Sequence, residues 1–180
     1  MAASRELRIV RGDITQLDVD VVVNAANNRM RGGGGVDGAI HRAGGPAIMA
    51  DCMERFPRGL ATGDAGWTTA GRMPARWVVH TVGPVHGRGT RDQLVSAYRR
   101  SVEVAEELGA TSIAFPSISA GSYGWPHDDA ARCAVEGVSA VPVGSVLDVR
   151  FVAFGDEAYA ALTAAVSGGR GASREASHET

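Results

Sequence analysis

The sequence predicts an α/β fold in which helices cover a mostly parallel β-sheet. Short apolar runs alternate with longer helical patterns along most of the chain, which is the order typical of parallel sheets. Residues 21–23 are all valine, and an uninterrupted β-branched run is typical of a strand buried on both faces. Glycine and proline separate the segments, as expected for turns between elements.

Local patterns place the individual elements. We expect strands at residues 7–10, 19–23, 65–69, 76–82, 111–115 and 147–154. We expect helices at residues 36–43, 47–56, 90–108, 128–138 and 156–166. The third of these helices carries the strongest signals, because Thr90 and Gln93 form a capping-box pair and Gly109 supplies a stop.

Composition indicates one ordinary globular domain. With 180 residues, of which 44% are hydrophobic and 21% charged, the chain has enough apolar material for a core, and we place the domain at residues 1–166. Residues 167–180 are small and polar with no apolar face, so we expect a disordered C-terminal tail. The formal net charge of -2 gives no global positive field, so we expect neither a membrane nor sequence-specific nucleic acid as partner.

The cysteines and the N-terminus indicate the cellular setting. Cys52 and Cys133 are far apart and form no CxxC pair, so we expect reduced thiols rather than a disulfide. The first residues lack the apolar core of a secretory signal, and no run approaches the ~20 apolar residues of a membrane span. We therefore predict a cytoplasmic protein, and we expect it to be a monomer.

The chemistry is expected where the strand at residues 19–23 ends. Asn24 and Asn27 follow this strand, and ligands of open α/β sheets bind at the carboxyl ends of strands. Four consecutive glycines at residues 32–35 then lead into a helix, which leaves backbone amides uncovered at a helix N-terminus and suits a phosphate. A flexible linker is the competing interpretation, but linkers seldom lie between a buried strand and a patterned helix.

A second glycine-bearing loop, residues 119–126, follows the strand at residues 111–115. Because the carboxyl ends of parallel strands meet at one edge of the sheet, both loops are expected to face the same ligand. Two loops that present backbone amides suit two phosphates, so the residues predict a ligand that carries a diphosphate.

Other chemistries fit the motifs less well. Gly33, Gly35 and Gly38 satisfy G-x-G-x-x-G, but the stretch NAANNRMR separates them from the strand, and no acidic residue ends a clear next strand, so a dinucleotide-binding turn is disfavoured. The chain contains no Gly-Lys-Ser or Gly-Lys-Thr of a P-loop and no G-x-S-x-G elbow of a serine hydrolase. The histidines show no zinc-ligand spacing, and we predict no metal and no cofactor.

Three residues with acid–base chemistry have a structural and a functional interpretation. Asp37 and His41 are four residues apart on a predicted helix, so their side chains share a face. Spacing alone favours Asp37 as a helix-capping acid over a catalytic one, and it favours His41 as a packing or orienting residue. Asp13 follows the first strand, where a capping role is favoured over contact with a ligand.

Five ordered motifs together resemble a known family. They are GDIT at residues 12–15, NAAN at 24–27, GGGGVDGAIH at 32–41, HTVGP at 80–84 and the glycine-bearing loop at 119–126. The chain resembles a macrodomain, and among macrodomains the MacroD-type bacterial O-acetyl-ADP-ribose deacetylases, over its whole length up to the tail. The resemblance implies a three-layer α/β/α sandwich with a mixed, mostly parallel sheet, and a cleft for ADP-ribose at the carboxyl ends of the strands.

The resemblance also implies roles for individual residues. Asn27, Asp37 and Tyr123 would be catalytic: Asn27 holds the distal ribose, Asp37 lies beside the scissile end and Tyr123 closes over that ribose. Asp13 and the Ile14 amide would meet the adenine, and Phe154 would pack against the adenosine. The remaining residues implied to bind ADP-ribose are Asn24, Gly33, Gly34, Gly35, Val36, His41, Ser119, Ala120, Gly121, Ser122 and Gly124.

Two functions are consistent with these motifs. The first is a hydrolase that removes mono-ADP-ribose from acidic side chains of proteins or deacetylates O-acetyl-ADP-ribose, with water activated by Asp37 at the distal ribose. The alternative is a reader that binds ADP-ribose without turnover, and the acid at position 37 favours the enzyme. Hydrolysis of ADP-ribose 1″-phosphate is a less favoured variant. Ser122, Trp125 and Gly155 depart from the residues usual in the family, which bears on substrate choice more than on fold.

Overall fold

The computed structural model describes residues 3–175, with side chains up to residue 169. Its strands are β1 (Glu6–Arg11), β2 (Val21–Ala26), β3 (Ala65–Thr69), β4 (Trp77–Val82), β5 (Ser112–Phe115) and β6 (Asp148–Ala153). Its α-helices are α1 (Gly35–Gly44), α2 (Pro46–Arg55), α3 (Arg91–Glu107), α4 (His127–Ser139) and α5 (Asp156–Glu175). A short 3-10 turn, Ile14–Gln16, follows β1.

The strands form one mixed sheet in the order β1-β6-β5-β2-β4-β3. Every neighbouring pair is parallel except β3 and β4, which are antiparallel. The predicted α/β class with a mixed, mostly parallel sheet is therefore confirmed. Because β1, β6, β5, β2 and β4 run in the same direction, the segments that follow them all emerge at one edge of the sheet.

Helices cover both faces of the sheet and bury a separate apolar cluster on each. Val21 and Val23 of β2 point into the larger cluster, with residues of α3, α4 and α5. Val22 points to the other face, with Ile40 of α1 and Ile48 of α2. All five side chains are fully buried, and each contributes about 1.5–3 kcal/mol relative to an exposed position. The three valines are thus covered on both faces, as their unbroken apolar run predicts.

One prediction about the C-terminus is wrong. Helix α5 continues to Glu175, so residues 167–175 are helical where a disordered tail was predicted from residue 167. Once a helix is nucleated, each further residue adds a backbone hydrogen bond. The pair Gly168 and Gly169 weakens propagation by about 1 kcal/mol per residue but does not block it as proline would. The rest of the predicted tail, residues 176–180, lies outside the described residues.

Two smaller expectations also concern the whole fold. Cys52 and Cys133 are both free and buried, as expected for reduced thiols. Within the described part of the chain, no helix combines the length and the apolar character that crossing a membrane requires.

Candidate active site

A cavity of about 520 Å³ opens at the sheet edge where β2, β4 and β5 end. This volume lies within the range of small-molecule sites. It is lined by ten of the residues predicted for the site: Asn27, Gly33, Gly34, Gly35, Val36, Asp37, Ser119, Gly121, Ser122 and Tyr123. Five further lining residues had been assigned no role in the site: Ala25 and Ala26 of the NAAN motif, Gly83 of the HTVGP motif, Ser117 and Ile118.

Backbone amides are the main polar groups along two walls of the cavity. One wall is the start of α1, where the N–H groups of residues 33–37 have no hydrogen-bond partner among the described residues. The opposite wall is the loop after β5, where the N–H groups of Ser119, Gly121, Ser122 and Tyr123 are likewise unpartnered within the described chain. Free amides and a helix N-terminus attract anions, so the cavity is suited to phosphate groups.

Gly33 brings two functional side chains together. A Cβ at Gly33 would stand 3.1 Å from Oδ2 of Asp37 and 3.4 Å from Nδ2 of Asn27. The carboxylate and the amide therefore converge on one point of the cavity wall, which a side chain at position 33 would crowd. Asn27 is itself fixed, because its Nδ2 donates to the Gly32 carbonyl at 3.0 Å and its Oδ1 accepts from the Arg29 amide at 3.2 Å.

The carboxylate of Asp37 is held on one side only. Its Oδ1 accepts from Nδ2 of Asn24 at 2.7 Å and lies 3.3 Å from Nε2 of His41. Its Oδ2 has no hydrogen-bond partner among the described residues and lies on the side of Gly33. Burial favours the neutral acid, but the hydrogen bonds from His41 and Asn24 outweigh burial and hold the pKa of Asp37 below its ordinary value of 3.8. Asp37 is therefore a carboxylate at neutral pH, with one oxygen free for a ligand or a water.

A buried histidine fixes the orientation of Asn24. Thr68 donates its hydroxyl proton to the Thr69 carbonyl at 2.9 Å, so Nε2 of His80, 2.8 Å away, is the donor to Thr68. Nδ1 of His80 then accepts, and Nδ2 of Asn24 donates to it at 3.1 Å. Burial lowers the pKa of His80 to about 3, so the ring stays neutral. The amide of Asn24 is thereby fixed with its donor toward Asp37, and the opposite amide orientation would place an oxygen against the carboxylate.

The cysteine beside this network is not a candidate nucleophile. Sγ of Cys52 lies 3.7 Å from Nε2 of His80, away from the cavity. Burial raises the pKa of the Cys52 thiol to about 11, so it stays protonated at neutral pH.

The loop after β5 is anchored from behind by α3 and by the loop after β4. The hydroxyl of Tyr98 accepts from the Ile118 amide at 3.0 Å and lies 3.3 Å from the Pro116 carbonyl. The hydroxyl of Ser119 donates to the Pro84 carbonyl at 2.7 Å, and the backbone at Ser119 has a positive φ of 65°. Because its proton is already donated, Ser119 contributes its amide to the cavity rather than a free hydroxyl.

Trp125 closes the same loop and explains one departure from the family pattern. Its ring lies edge-on to His86 at 5.0 Å between centroids, and its Nε1 donates to Asp129 at 3.0 Å. The His86 amide donates to the Tyr123 carbonyl at 2.9 Å. The indole N–H therefore ties this loop to α4, a contact that a phenylalanine could not make.

Three predicted ligand-binding residues lie along the same edge but outside the cavity. Asp13 caps the 3-10 turn, with its Oδ1 accepting from the Thr15 amide at 2.9 Å and from the Thr15 hydroxyl at 2.7 Å. The capping role expected for Asp13 is confirmed. Its other carboxylate oxygen, Oδ2, has no hydrogen-bond partner among the described residues. The side chain of Ile14 is buried, whereas Phe154, directly after β6, is 96% exposed.

Four other predicted binding residues also do not line the cavity. Asn24 and His41 lie behind Asp37, which makes them positioning residues rather than contacts for a ligand. Ala120 and Gly124 shape the turn of the second loop, where the Gly124 amide donates to the Gly121 carbonyl at 3.0 Å. His80 is the member of the candidate site that sequence reasoning missed, although it opens the HTVGP motif and pairs with Asn24 in the register of β2 and β4.

Comparison with known proteins agrees with this geometry. The family model described as Macro domain matches residues 23–134. A Streptomyces griseus protein named as macro domain-containing is 58% identical over 165 residues, covering 88% of this chain and 93% of the relative. An Escherichia fergusonii protein named O-acetyl-ADP-ribose deacetylase is 53% identical over 138 residues, covering 74% of this chain and 78% of the relative.

A solved structure extends the likeness to three dimensions. The Trypanosoma brucei macrodomain, in complex with ADP-ribose, superposes with a TM-score of 0.81 at 37% identity, covering 89% of this chain and 68% of that one. The chain belongs to the macro domain family.

Proposed function

We propose that this chain is an ADP-ribose-binding hydrolase that removes mono-ADP-ribose from glutamate or aspartate side chains of proteins, deacetylates O-acetyl-ADP-ribose, or does both. The observation that carries the proposal is the carboxylate of Asp37. One of its oxygens is fixed by Asn24 and His41, and the other lies at the cavity wall beside Asn27. A module that only bound ADP-ribose would need the amides but would have no use for an ionised acid in this place.

The shape of the sheet edge supports ADP-ribose as the ligand. The carboxyl ends of β1 and β2 are three steps apart in the sheet, roughly 14 Å at ~4.8 Å per step. An elongated ligand can therefore place its adenosine beside Asp13, the Ile14 amide and Phe154, and its diphosphate on the free amides of the cavity. The distal ribose then lies against Asn27 and Asp37. The Trypanosoma brucei relative, which has ADP-ribose bound, supports the same ligand for this chain.

In the proposed reaction, Oδ2 of Asp37 accepts a proton from a water, and the water oxygen attacks the substrate. For an ADP-ribosylated carboxylate, attack at the anomeric carbon breaks its bond to the carboxylate oxygen and releases the side chain. For the acetyl ester, attack at the carbonyl carbon breaks the acyl C–O bond to the ribose, whose oxygen takes the proton back from Asp37, and acetate is released. Positioning by Asn27 and the amide-lined walls contributes to the rate along with proton transfer. The Escherichia fergusonii relative, named a deacetylase of O-acetyl-ADP-ribose, supports the ester reaction.

The test is release of free ADP-ribose from a protein that carries one glutamate-linked ADP-ribose, with O-acetyl-ADP-ribose as a second substrate. We expect turnover by the wild type and a loss of about 10²–10⁴ in the rate for Asp37→Ala, the range for removal of a general base. Calorimetric titration with ADP-ribose serves as the control, and we expect the variant to keep binding.

Binding without turnover of either substrate by the wild type would make the chain a reader and contradict the hydrolase. Phosphate release from ADP-ribose 1″-phosphate, with no activity on the two esters, would replace it with the phosphatase variant. Equal turnover by Asp37→Ala would remove the acid from the mechanism.

A further inference from the structure

Four exposed arginines lie around the segment 27–33, which carries the Asn27 side of the cavity, and we call them the arginine rim: Arg29, Arg31, Arg42 and Arg58. Arg29 and Arg31 lie in the short segment that joins Asn27 to Gly33, both of which line the cavity. Consecutive Cα atoms are ~3.8 Å apart, so each of these two arginines begins within two residues of the cavity wall.

Arg58 lies beside the same segment although it is distant in sequence. The guanidinium of Arg31 donates to the carbonyls of Phe56 at 3.1 Å and Pro57 at 3.5 Å, and Arg58 is the next residue. The Leu60 amide also donates to the Asn28 carbonyl at 2.9 Å. The connection that carries Arg58 is therefore fixed against the loop that carries Arg29.

Arg42 approaches the cavity from the side of α1. A Cβ at Gly38 would stand 3.0 Å from Nη1 of Arg42 and 2.8 Å from the carbonyl oxygen of Gly33. The guanidinium of Arg42 thus folds back along the helix toward Gly33, the residue beside which Asn27 and Asp37 converge.

Within residues 3–169, no member of the arginine rim forms an ion pair with an acidic side chain. Of the nearby acids, Asp37 faces the cavity, Asp51 pairs with Arg55 at 2.8 Å, and exposed Glu54 forms no ion pair with a rim arginine. The arginines of α3 differ, since Arg91 pairs with Asp129 at 3.1 Å and Arg100 pairs with Glu103 at 2.6 Å. The rim is a local positive surface on a chain whose formal net charge is -2.

We infer that the arginine rim binds acidic residues that flank the modified side chain of a protein substrate. This inference rests on the proposed hydrolase, in which the bond to be broken lies beside Asn27 and Asp37. In that reaction the group attached to the distal ribose lies on the Asn27 side of the cavity, which is the side that carries the rim. Guanidinium groups recognise carboxylates through charge-assisted hydrogen bonds, so the rim selects modified glutamates or aspartates in acid-rich segments.

The surface favours a peptide over a nucleic acid. Proteins that bind single strands combine basic grooves with aromatic side chains on which bases stack. Among the described side chains, the one exposed Phe, Tyr or Trp is Phe154, which follows β6 and is separated from the rim along the sheet edge. A short cluster of arginines without an aromatic platform fits a few carboxylates.

The test compares three substrates that share the same ADP-ribose. Two are peptides with a single glutamate-linked ADP-ribose, one with aspartate and glutamate at the flanking positions and one with glutamine and serine there. The third is O-acetyl-ADP-ribose, which carries no peptide. The variants are the double substitution Arg29→Gln with Arg58→Gln and the control Arg72→Gln. Arg72 is exposed and lies at the opposite end of α1, where its amide donates to the Gly44 carbonyl at 2.9 Å.

For the wild type we expect kcat/KM about tenfold higher on the acidic peptide than on the neutral one at low salt, from roughly threefold for each of two arginines. The preference should shrink as salt is raised to 0.5 M, because exposed charges are screened. The double variant should lose the preference and keep its rate on O-acetyl-ADP-ribose. Arg72→Gln should behave as the wild type.

Equal rates of the wild type on both peptides would overturn the inference while leaving the hydrolase intact. A faster reaction on an ADP-ribosylated 5′-phosphate oligonucleotide than on the acidic peptide, lost in the double variant, would reassign the rim to nucleic acid. If the wild type turns over none of the substrates, the hydrolase fails. In that case the rim is tested by calorimetric titration of the wild type with the two modified peptides. Equal dissociation constants for the acidic and the neutral peptide would reject the inference that the rim binds acidic residues.

Discussion

The two ends of the candidate ligand-binding edge are built in opposite ways. At one end, which we call the closed end, Asp37 and Asn27 lie at the cavity wall and Asp37 is only 4% exposed. At the other, the open end formed by Asp13, Ile14 and Phe154, the aromatic ring is 96% exposed. The closed end is fixed by buried hydrogen bonds within the protein, whereas the open end exposes apolar surface that a bound ligand can bury.

This difference separates the two tasks of the proposed function. Although Oδ1 of Asn24 and Nδ1 of His41 are buried without a hydrogen-bond partner among the described residues, the hydrogen bonds from Thr68 through His80 and Asn24 hold Asp37 rigidly in one geometry. Such rigidity serves a reaction, because a catalytic group must be positioned closely. The exposed ring of Phe154 instead supplies binding free energy when a ligand covers it. The closed end should thus control the rate and the open end the affinity.

The strongest test of this division is Asn24→Ala, which leaves every cavity-lining side chain in place. We expect kcat to fall about ten- to a hundred-and-fiftyfold, since a hydrogen bond to a charged group contributes about 1.5–3 kcal/mol. The lost hydrogen bond should also raise the pKa of Asp37, because that bond lowers it in the wild type. The measurement is the pH profile of kcat, whose acid limb should move to higher pH.

Asn28→Ala is the matched control for this variant. Asn28 is exposed, and its Nδ2 donates to the Leu60 carbonyl at 3.0 Å and to the Thr62 hydroxyl at 3.1 Å, away from Asp37. We expect its acid limb to coincide with that of the wild type. An Asn24→Ala protein that folds, binds ADP-ribose and keeps the wild-type profile would show that Asp37 does not depend on the network.

The second prediction concerns stability at the closed end. The pKa of His80 is lowered from 6.5 to about 3, so the unfolded chain takes up a proton at higher pH than the native one. The contribution of a neutral His80 is complete above pH 6.5 and is lost progressively as pH falls toward 3. Between pH 8 and pH 5 the loss is about 2 kcal/mol in the free energy of unfolding.

Urea titrations at the two pH values, on wild type and His80→Gln, isolate this contribution. The variant is expected to be less stable at pH 8 because it breaks the network, but its stability should fall about 2 kcal/mol less between pH 8 and pH 5. An equal fall in the free energy of unfolding between pH 8 and pH 5 for the two proteins would mean that His80 is already protonated in the folded state at pH 5. The closed end would then be less shielded from solvent than its burial indicates.

The sequence predicted the elements of this fold well, because their signals are local. The valines of β2, the capping pair at the start of α3 and the glycines before α1 each indicate structure within a few residues. The family resemblance implied a mixed sheet, but nothing in the sequence identified β3 and β4 as the antiparallel pair, since periodicity does not say which strands are neighbours. The length of α5 was missed because composition cannot weigh helix propagation against two glycines.

Only the part of the candidate site that is local in sequence could be predicted. Asn27, Asp37 and the glycines between them lie close in sequence, and the cavity gathers them as expected. The contact between Asn24 and His80 spans 56 residues and exists because β2 and β4 pair in a register that places the two residues side by side. Neither residue type predicts that pairing, so Asn24 was expected at the ligand instead of behind the acid.

The smallest expected effect is at the open end, in Phe154→Ala. Under the proposed function the ring packs on the adenosine, and an aromatic contact is worth about 0.5–1.5 kcal/mol, so the dissociation constant for ADP-ribose should rise roughly three- to tenfold. With saturating substrate, kcat should not change, because the ring does not touch the closed end.

Phe154→Ala also has a matched control, which completes the comparison of the two ends. Leu147 is 42% exposed and precedes β6, so it lies at the opposite edge of the sheet, and Leu147→Ala should leave both affinity and kcat as in the wild type. Calorimetry gives the affinity and the release assay gives kcat for each variant. Removing an exposed side chain should cost almost no stability, so weaker binding by Phe154→Ala would report lost contact rather than misfolding. A fall in kcat at unchanged affinity would instead place the ring in the reaction and would end the division between a closed end for rate and an open end for affinity.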